Sequence, residues 1–218
     1  MRKTLVQIAI SVSIGSVGGY LVAGHVLRYL QRVSGVQLVA FGIPEAFFGF
    51  LELALAIGLL VSMPFILYRM LALLPKRSPS ISRKVIVSFW VIAVVLFYAG
   101  VAFCLKITLP YGIQFLLSFE TTTIKPVISV GRFLSFCLLF FFGFGLIFEV
   151  PVAMVLMGRV FSVDVKTLSR YRRYAILLIT IVSAVLTPTP DAFNLMLMAV
   201  PLYLLFEIGL IGMRLVKK

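Results

Sequence analysis

Apolar runs long enough to cross a bilayer recur six times in this chain, and they leave few folds open to it. A hydrocarbon core about 30 Å thick needs about 20 apolar residues in a helix. Windows of that kind fall near 4–24, 47–73, 85–108, 133–158, 174–187 and 193–213. The expected fold is therefore all-α, a polytopic membrane protein of six transmembrane helices forming one transmembrane domain over residues 1–218. Composition agrees, since 62% hydrophobic residues, 12% charged residues and a mean hydropathy of +1.16 leave too little polar material to cover a soluble globule. Met1-Arg2-Lys3 and the run behind it have the look of a signal peptide, but the run continues through Val22 without a cleavage site, so it is read as a retained first span.

The net charge of +13 would suggest nucleic acid in a soluble protein. Sorted by loop, it becomes a topology signal instead. With the N-terminus inside, 15 of the 20 basic residues lie on the inner side, and only Arg28, Arg32, Lys106, Lys125 and Arg132 lie outside. Both termini are thus expected in the cytoplasm, with attraction to anionic lipid as a secondary effect and no nucleic-acid partner. The fifth run is short: 174–186 makes about 20 Å of helix at 1.5 Å per residue. Arg170, Arg172 and Arg173 precede it and Thr187-Pro188-Thr189-Pro190-Asp191 follows, so a squat hairpin of spans five and six beside thinned bilayer is expected. Outside, Val26, Leu27, Leu30 and Val33 have helical spacing and suggest a short interfacial helix within 25–43. The apolar piece 111–119 suggests a second, and the two together would cap the outer end.

One charge stands in an unlikely place. Glu149 ends the run Phe140-Phe141-Phe142-Gly143-Phe144-Gly145-Leu146-Ile147-Phe148, where an isolated carboxylate costs at least about 2.5 kcal/mol. Pro151, two residues on, removes a helical hydrogen bond and bends the helix at that point. A functional carboxyl is one reading, and a protonated or hydrogen-bonded packing group is the other. Glu52 and Glu207 are further embedded acids, Glu207 being the more costly. Pro64, Pro151 and Pro201 fall in the second, fourth and sixth spans, where kinks would open a concave face, and Gly15 and Gly19 give a GxxxG spacing suited to close helix contact. Cys104 and Cys137 read as packing residues. His25 is the only histidine, so no zinc motif or catalytic triad can be assembled, and Asp191 reads as a stabiliser of the last span's N-terminus. No metal, cofactor or enzymatic activity is expected.

Several motifs then coincide in order and spacing: Ile43-Pro44-Glu45-Ala46-Phe47, Ser62-Met63-Pro64, Phe148-Glu149-Val150-Pro151, Arg172-Arg173-Tyr174, Thr187-Pro188-Thr189-Pro190-Asp191 and Phe206-Glu207-Ile208-Gly209. Together they resemble the TatC family, the polytopic subunit of the twin-arginine protein translocase, over nearly the whole chain. The resemblance implies an inner-membrane protein that moves folded proteins bearing Arg-Arg signal peptides, using the proton-motive force, with single-span partners of the TatA and TatB type. It implies that Glu149, Pro151, Glu207, Pro188 and Asp191 belong to a partner-binding groove, that Pro44, Glu45 and Phe47 shape the outer cap, and that Arg83, Lys84, Arg172 and Arg173 form the cytoplasmic signal-peptide surface. The first cytoplasmic loop, 75–84, holds no acid where relatives carry a glutamate. The rival expectation is a small proton-coupled transporter or a membrane scaffold.

Overall fold

A computed structural model of the chain describes residues 2–35, 38–73, 82–118, 127–160, 163–186 and 192–216. Five helical stretches in it are long and apolar enough to cross a membrane: Thr4–Ser34, Pro44–Leu71, Arg83–Gln114, Val130–Val160 and Met198–Leu215.

Helix α1, Arg2–Ser34, is one continuous rod of 33 residues, about 50 Å long. The helix expected within 25–43 is therefore not a separate interfacial element. Nothing between Gly24 and Ser34 breaks the ladder, Arg28 donates from Nε to its own helix at the Gly24 carbonyl (3.1 Å), and Leu30 is buried in the core. The rod stops at Gly35, whose φ of +68° is the left-handed conformation that closes a helix C-terminus, with its N–H on the Gln31 carbonyl at 2.9 Å.

Helix α2, Ile43–Leu71, returns alongside α1. The backbones meet at the small residues singled out above: a Cβ on Gly15 would lie 2.9 Å from the Gly58 carbonyl oxygen, and one on Gly19 2.7 Å from that of Ala54. Ser11 donates to Ser62 across the same seam (3.2 Å). A methyl group on Gly58 would sit 2.7 Å from the Ser16 Cα, so Gly58→Ala must push two backbones apart. The variant is expected to lose about 1–3 kcal/mol of stability, read as a lower thermal midpoint in detergent. Gly18→Ala, at a position with open space around it, is the control expected to show no loss.

Pro64 lies inside α2 and cannot donate to the Leu60 carbonyl one turn back. That carbonyl is not left bare, because the Tyr98 hydroxyl donates to it at 2.9 Å, and Trp90 Nε1 donates to the Pro64 carbonyl at 2.7 Å. Both donors stand on α3, Arg83–Phe103, so the kink in α2 also ties the two helices together. The span expected to end at 108 continues as a π-helical turn, Cys104–Thr108, and then α4, Leu109–Leu117. Pro110 explains the wider turn. It has no N–H to continue an ordinary ladder, and the Leu109 N–H instead reaches back five residues to Cys104. The segment expected at 111–119 is thus the continuation of the third span.

At the end where α1 stops and α2 starts, the chain is stitched by a two-residue parallel bridge between β1, Leu38–Val39, and β2, Ile128–Ser129. Glu45, in the first turn of α2, holds this cap. Its Oε2 accepts from the Phe41 N–H (2.7 Å), while Oε1 accepts from the Gly131 N–H (3.2 Å) and the Ser129 hydroxyl. Pro44 occupies the first turn of α2, and Phe47 is exposed, edge-on to Phe48.

Helix α5, Val130–Phe148, forms the centre of the core with Phe133, Leu134, Cys137, Phe140, Phe141 and Phe144, against Leu53, Phe97, Cys104 and Leu202. Both cysteines are free and fully buried, packed as expected from their apolar surroundings. After α5 come α6, Val150–Val160, the short α7, Val165–Arg170, then α8, Arg172–Leu186, and α9, Ala192–Val216.

Helix α8 has 15 residues, about 22 Å, which is well short of a hydrocarbon core. Its partner does not share this: α9 has 25 residues and about 37 Å, so only one helix of the expected squat pair is short. Helix α9 continues past Glu207 without interruption. Pro188 and Asp191, expected in the groove, lie outside the described residues.

Candidate helix-docking site at the interrupted fourth span

The fourth span is continuous in sequence and broken in structure. Glu149 is a single turn residue (φ −76°, ψ −10°) between α5 and α6. Its N–H donates to the Leu146 carbonyl at 3.1 Å, a tightened last turn, and its carbonyl accepts from Ala153 at 2.9 Å, so α6 restarts immediately. Pro151 sits in the first turn of α6, where its missing N–H costs least. An acid and a proline two residues apart therefore make the break that the sequence suggests.

The main chain of Glu149 is satisfied and its side chain is not. The carboxyl is half-buried, and Oε1 is fully shielded with no hydrogen-bond partner among the described residues. An unmade hydrogen bond of this kind costs about 1–3 kcal/mol, and folded chains seldom keep one without a use for it.

What surrounds the break is apolar. A cavity of about 240 Å³ opens between Ile147, Val150 and Met154 on one side, Leu178 and Val182 of α8 on another, and Phe206 of α9. Leu177, Leu178, Ile181 and Val185 leave one side of α8 exposed. Helix α6 is held off α8 by its own packing on α9. A Cβ on Gly209 would lie 3.2 Å from the Pro151 Cα, and one on Gly212 2.7 Å from Val155 Cγ2, so α9 can approach only because both positions are glycine.

The other embedded acids have partners. Glu207 takes the Arg172 guanidinium on Oε2 at 2.7 Å and the Tyr203 hydroxyl on Oε1 at 2.8 Å. Both its oxygens are occupied, so it joins α8 to α9 and offers no free carboxyl to a groove. Arg172, at the start of α8 and with a side chain still 43% exposed, is committed to this ion pair. Sequence reasoning missed this triad; the spacing of Tyr203 and Glu207, one helical turn apart, was the available signal. Glu52 accepts from the Ser135 hydroxyl at 2.8 Å. Arg173 lies over the Tyr174 ring at 4.8 Å, and Arg83 and Lys84 are exposed at the start of α3. Among the described residues no three His, Cys, Asp or Glu side chains gather into a metal-holding group.

Comparison with known proteins settles the family. The family described as Sec-independent protein translocase protein (TatC) matches residues 1–201. The Sec-independent protein translocase protein TatC of Carboxydothermus hydrogenoformans is 31% identical over 220 residues, covering 100% of this chain and 90% of that protein. The protein of the same name in Escherichia coli is 32% identical over 190 residues, covering 87% and 72%. A crystal structure of the twin arginine translocase receptor TatC superposes with a TM-score of 0.78 at 26% identity, covering 100% of this chain and 97% of that one. A second, obtained in the detergent DDM, gives 0.81 at 27% identity with 96% of each covered. A predominantly helical chain with an interrupted fourth span, a carboxyl oxygen at the break that has no partner among the described residues, and relatives of this kind is a multi-pass membrane protein of the TatC family, a component of the twin-arginine protein translocase and not an enzyme.

Proposed function

We propose that this chain, acting as one transmembrane unit in the inner membrane with both termini in the cytoplasm, docks the single helices of TatA- and TatB-type partners at Glu149 and α8. Folded cargo with Arg-Arg signal peptides would then be moved at the expense of the proton-motive force. The observation that carries the reading is the shielded Oε1 of Glu149, without a partner among the described residues, at a break whose flanking residues Ile147 and Val150 line the cavity against α8 and α9. A passing helix with one polar side chain at that depth completes the missing hydrogen bond, and its apolar flank covers the exposed side of α8. The short α8 supports the same reading, since a helix of about 22 Å thins the bilayer where the partner arrives. Pro151 sets the break. Signal-peptide contact falls to the exposed Arg83, Lys84 and Arg173 with help from a partner's acids, because these cations alone repel an arginine pair.

The test is site-specific photo-crosslinking in whole membranes from positions 149 and 178. Adducts with single-span proteins are expected from both. Adducts with lipid alone, in membranes where the assembled translocase is present, would overturn the docking site.

A further inference from the structure

We propose that the groove between α3, α6 and α9 holds one acyl chain of an anionic phospholipid whose headgroup is gripped by Arg159. The groove shares Pro151 with the break at Glu149 but lies against α3, whereas the cavity of the proposed docking site lies against α8, and its test does not depend on that reading.

The groove follows from how the helices part. Helix α3 stays on α5, where a Cβ on Gly100 would lie 2.6 Å from the Phe144 carbonyl oxygen and Gly145 sits against the Phe97 ring. At Glu149 the chain breaks, and α6 leaves to pack on Gly209 and Gly212 of α9. Between the diverging α3 and α6 remains a cavity of about 350 Å³, with Phe89, Ile92 and Leu96 on α3, Val152 and Val155 on α6, and Ile208 on α9.

Its length matches one leaflet. Along α3 it runs from Val85 to Leu96, about 16 Å at 1.5 Å per residue, against a half-bilayer of about 15 Å. Apart from Ser88 and Arg159 its walls are apolar, as an acyl chain requires.

Its charge supplies the headgroup contact. Helix α3 runs away from the face where Arg83 and Lys84 stand, and α6 and α9 run toward it, so Val85, Arg159 and Leu215 share the mouth. Arg159 is the one charged residue lining the groove, is exposed, and makes no ion pair among the described residues. A lipid tail gains little by leaving bilayer hydrocarbon for an apolar wall. Selection must therefore come from the headgroup, and one basic residue near the surface is worth roughly a fivefold preference for an anionic lipid.

The full chain, purified in detergent and titrated with phosphatidylglycerol or with phosphatidylcholine of identical chains, is to be weighed by native mass spectrometry. One retained phosphatidylglycerol is expected, preferred about fivefold. Arg159→Gln should erase the preference and Arg159→Lys should keep it. Ser88→Trp, which fills the groove from an exposed position, should release both lipids. Equal retention of the two lipids by the unaltered chain, or an unchanged preference in Arg159→Gln, overturns the proposal. A photoreactive residue at position 92 gives the second measurement in intact membranes: labelled phospholipid supports the site, and labelling of polypeptide alone overturns it.

Discussion

Glu149→Leu is expected to leave the isolated chain as stable as the parent, or up to about 1–3 kcal/mol more stable, while export of twin-arginine cargo falls. The two effects have one origin. Oε1 of Glu149 is shielded and unpaired, so the folded chain bears a desolvation cost that nothing in the described residues offsets. Leucine removes the cost together with the group that a partner would engage. Most buried substitutions destabilise, so a variant that unfolds later and exports less separates a functional carboxyl from a packing one. The thermal midpoint in detergent and the exported fraction of a reporter cargo are the two readouts. A midpoint lowered along with export would assign Glu149 to packing instead.

The second large effect concerns the joint between α8 and α9. Arg172→Met is expected to destabilise by about 2–3 kcal/mol, because it leaves the Glu207 carboxylate in a membrane-embedded position with the Tyr203 hydroxyl alone. Arg172→Met combined with Glu207→Met should recover most of that loss, since removing both charges leaves none uncompensated. Tyr203→Phe, which removes one hydrogen bond, should cost about 0.5–1.5 kcal/mol. With Glu207→Met measured alone, the parent, the two single variants and the double variant close a mutant cycle, and additive losses for Arg172 and Glu207 would mean that the 2.7 Å ion pair carries no coupling. Loosening this joint frees the N-terminal end of α8, so the double variant tests whether α8 needs anchoring for export even when stability is restored.

Local information in the chain was enough for the features that position the proposed docking site. An acid two residues before a proline inside an apolar run states both where the fourth span breaks and which side chain ends up at the break. A short apolar run between arginines and a Thr-Pro turn likewise states that α8 is short. Features that depend on distant partners were not legible in the same way. The helical spacing of Val26, Leu27, Leu30 and Val33, with Arg28 and Arg32 on another face, made 25–43 read as holding an interfacial helix, because sequence cannot show that Arg28 bonds back to its own helix or that Leu30 is buried against other spans. Glu207 could be recognised as a costly acid, but its cation lies 35 residues earlier, on another helix. Pro64 could be recognised as a kink, but not the Tyr98 hydroxyl that takes over the abandoned Leu60 carbonyl.

The central claim is that the Glu149 carboxyl completes a hydrogen bond with an incoming helix, and binding measures this most directly. A labelled single-span TatA- or TatB-type partner is to be titrated against the purified chain in nanodiscs, with energy transfer to a dye at the outer cap. Glu149→Gln, which keeps a group able to donate and accept, should bind within about threefold of the parent. Glu149→Ala should bind about 3- to 20-fold more weakly, the range of an interhelical hydrogen bond in a membrane. Equal affinity for parent, Gln and Ala would contradict the account, because the carboxyl would then have no part in holding the partner.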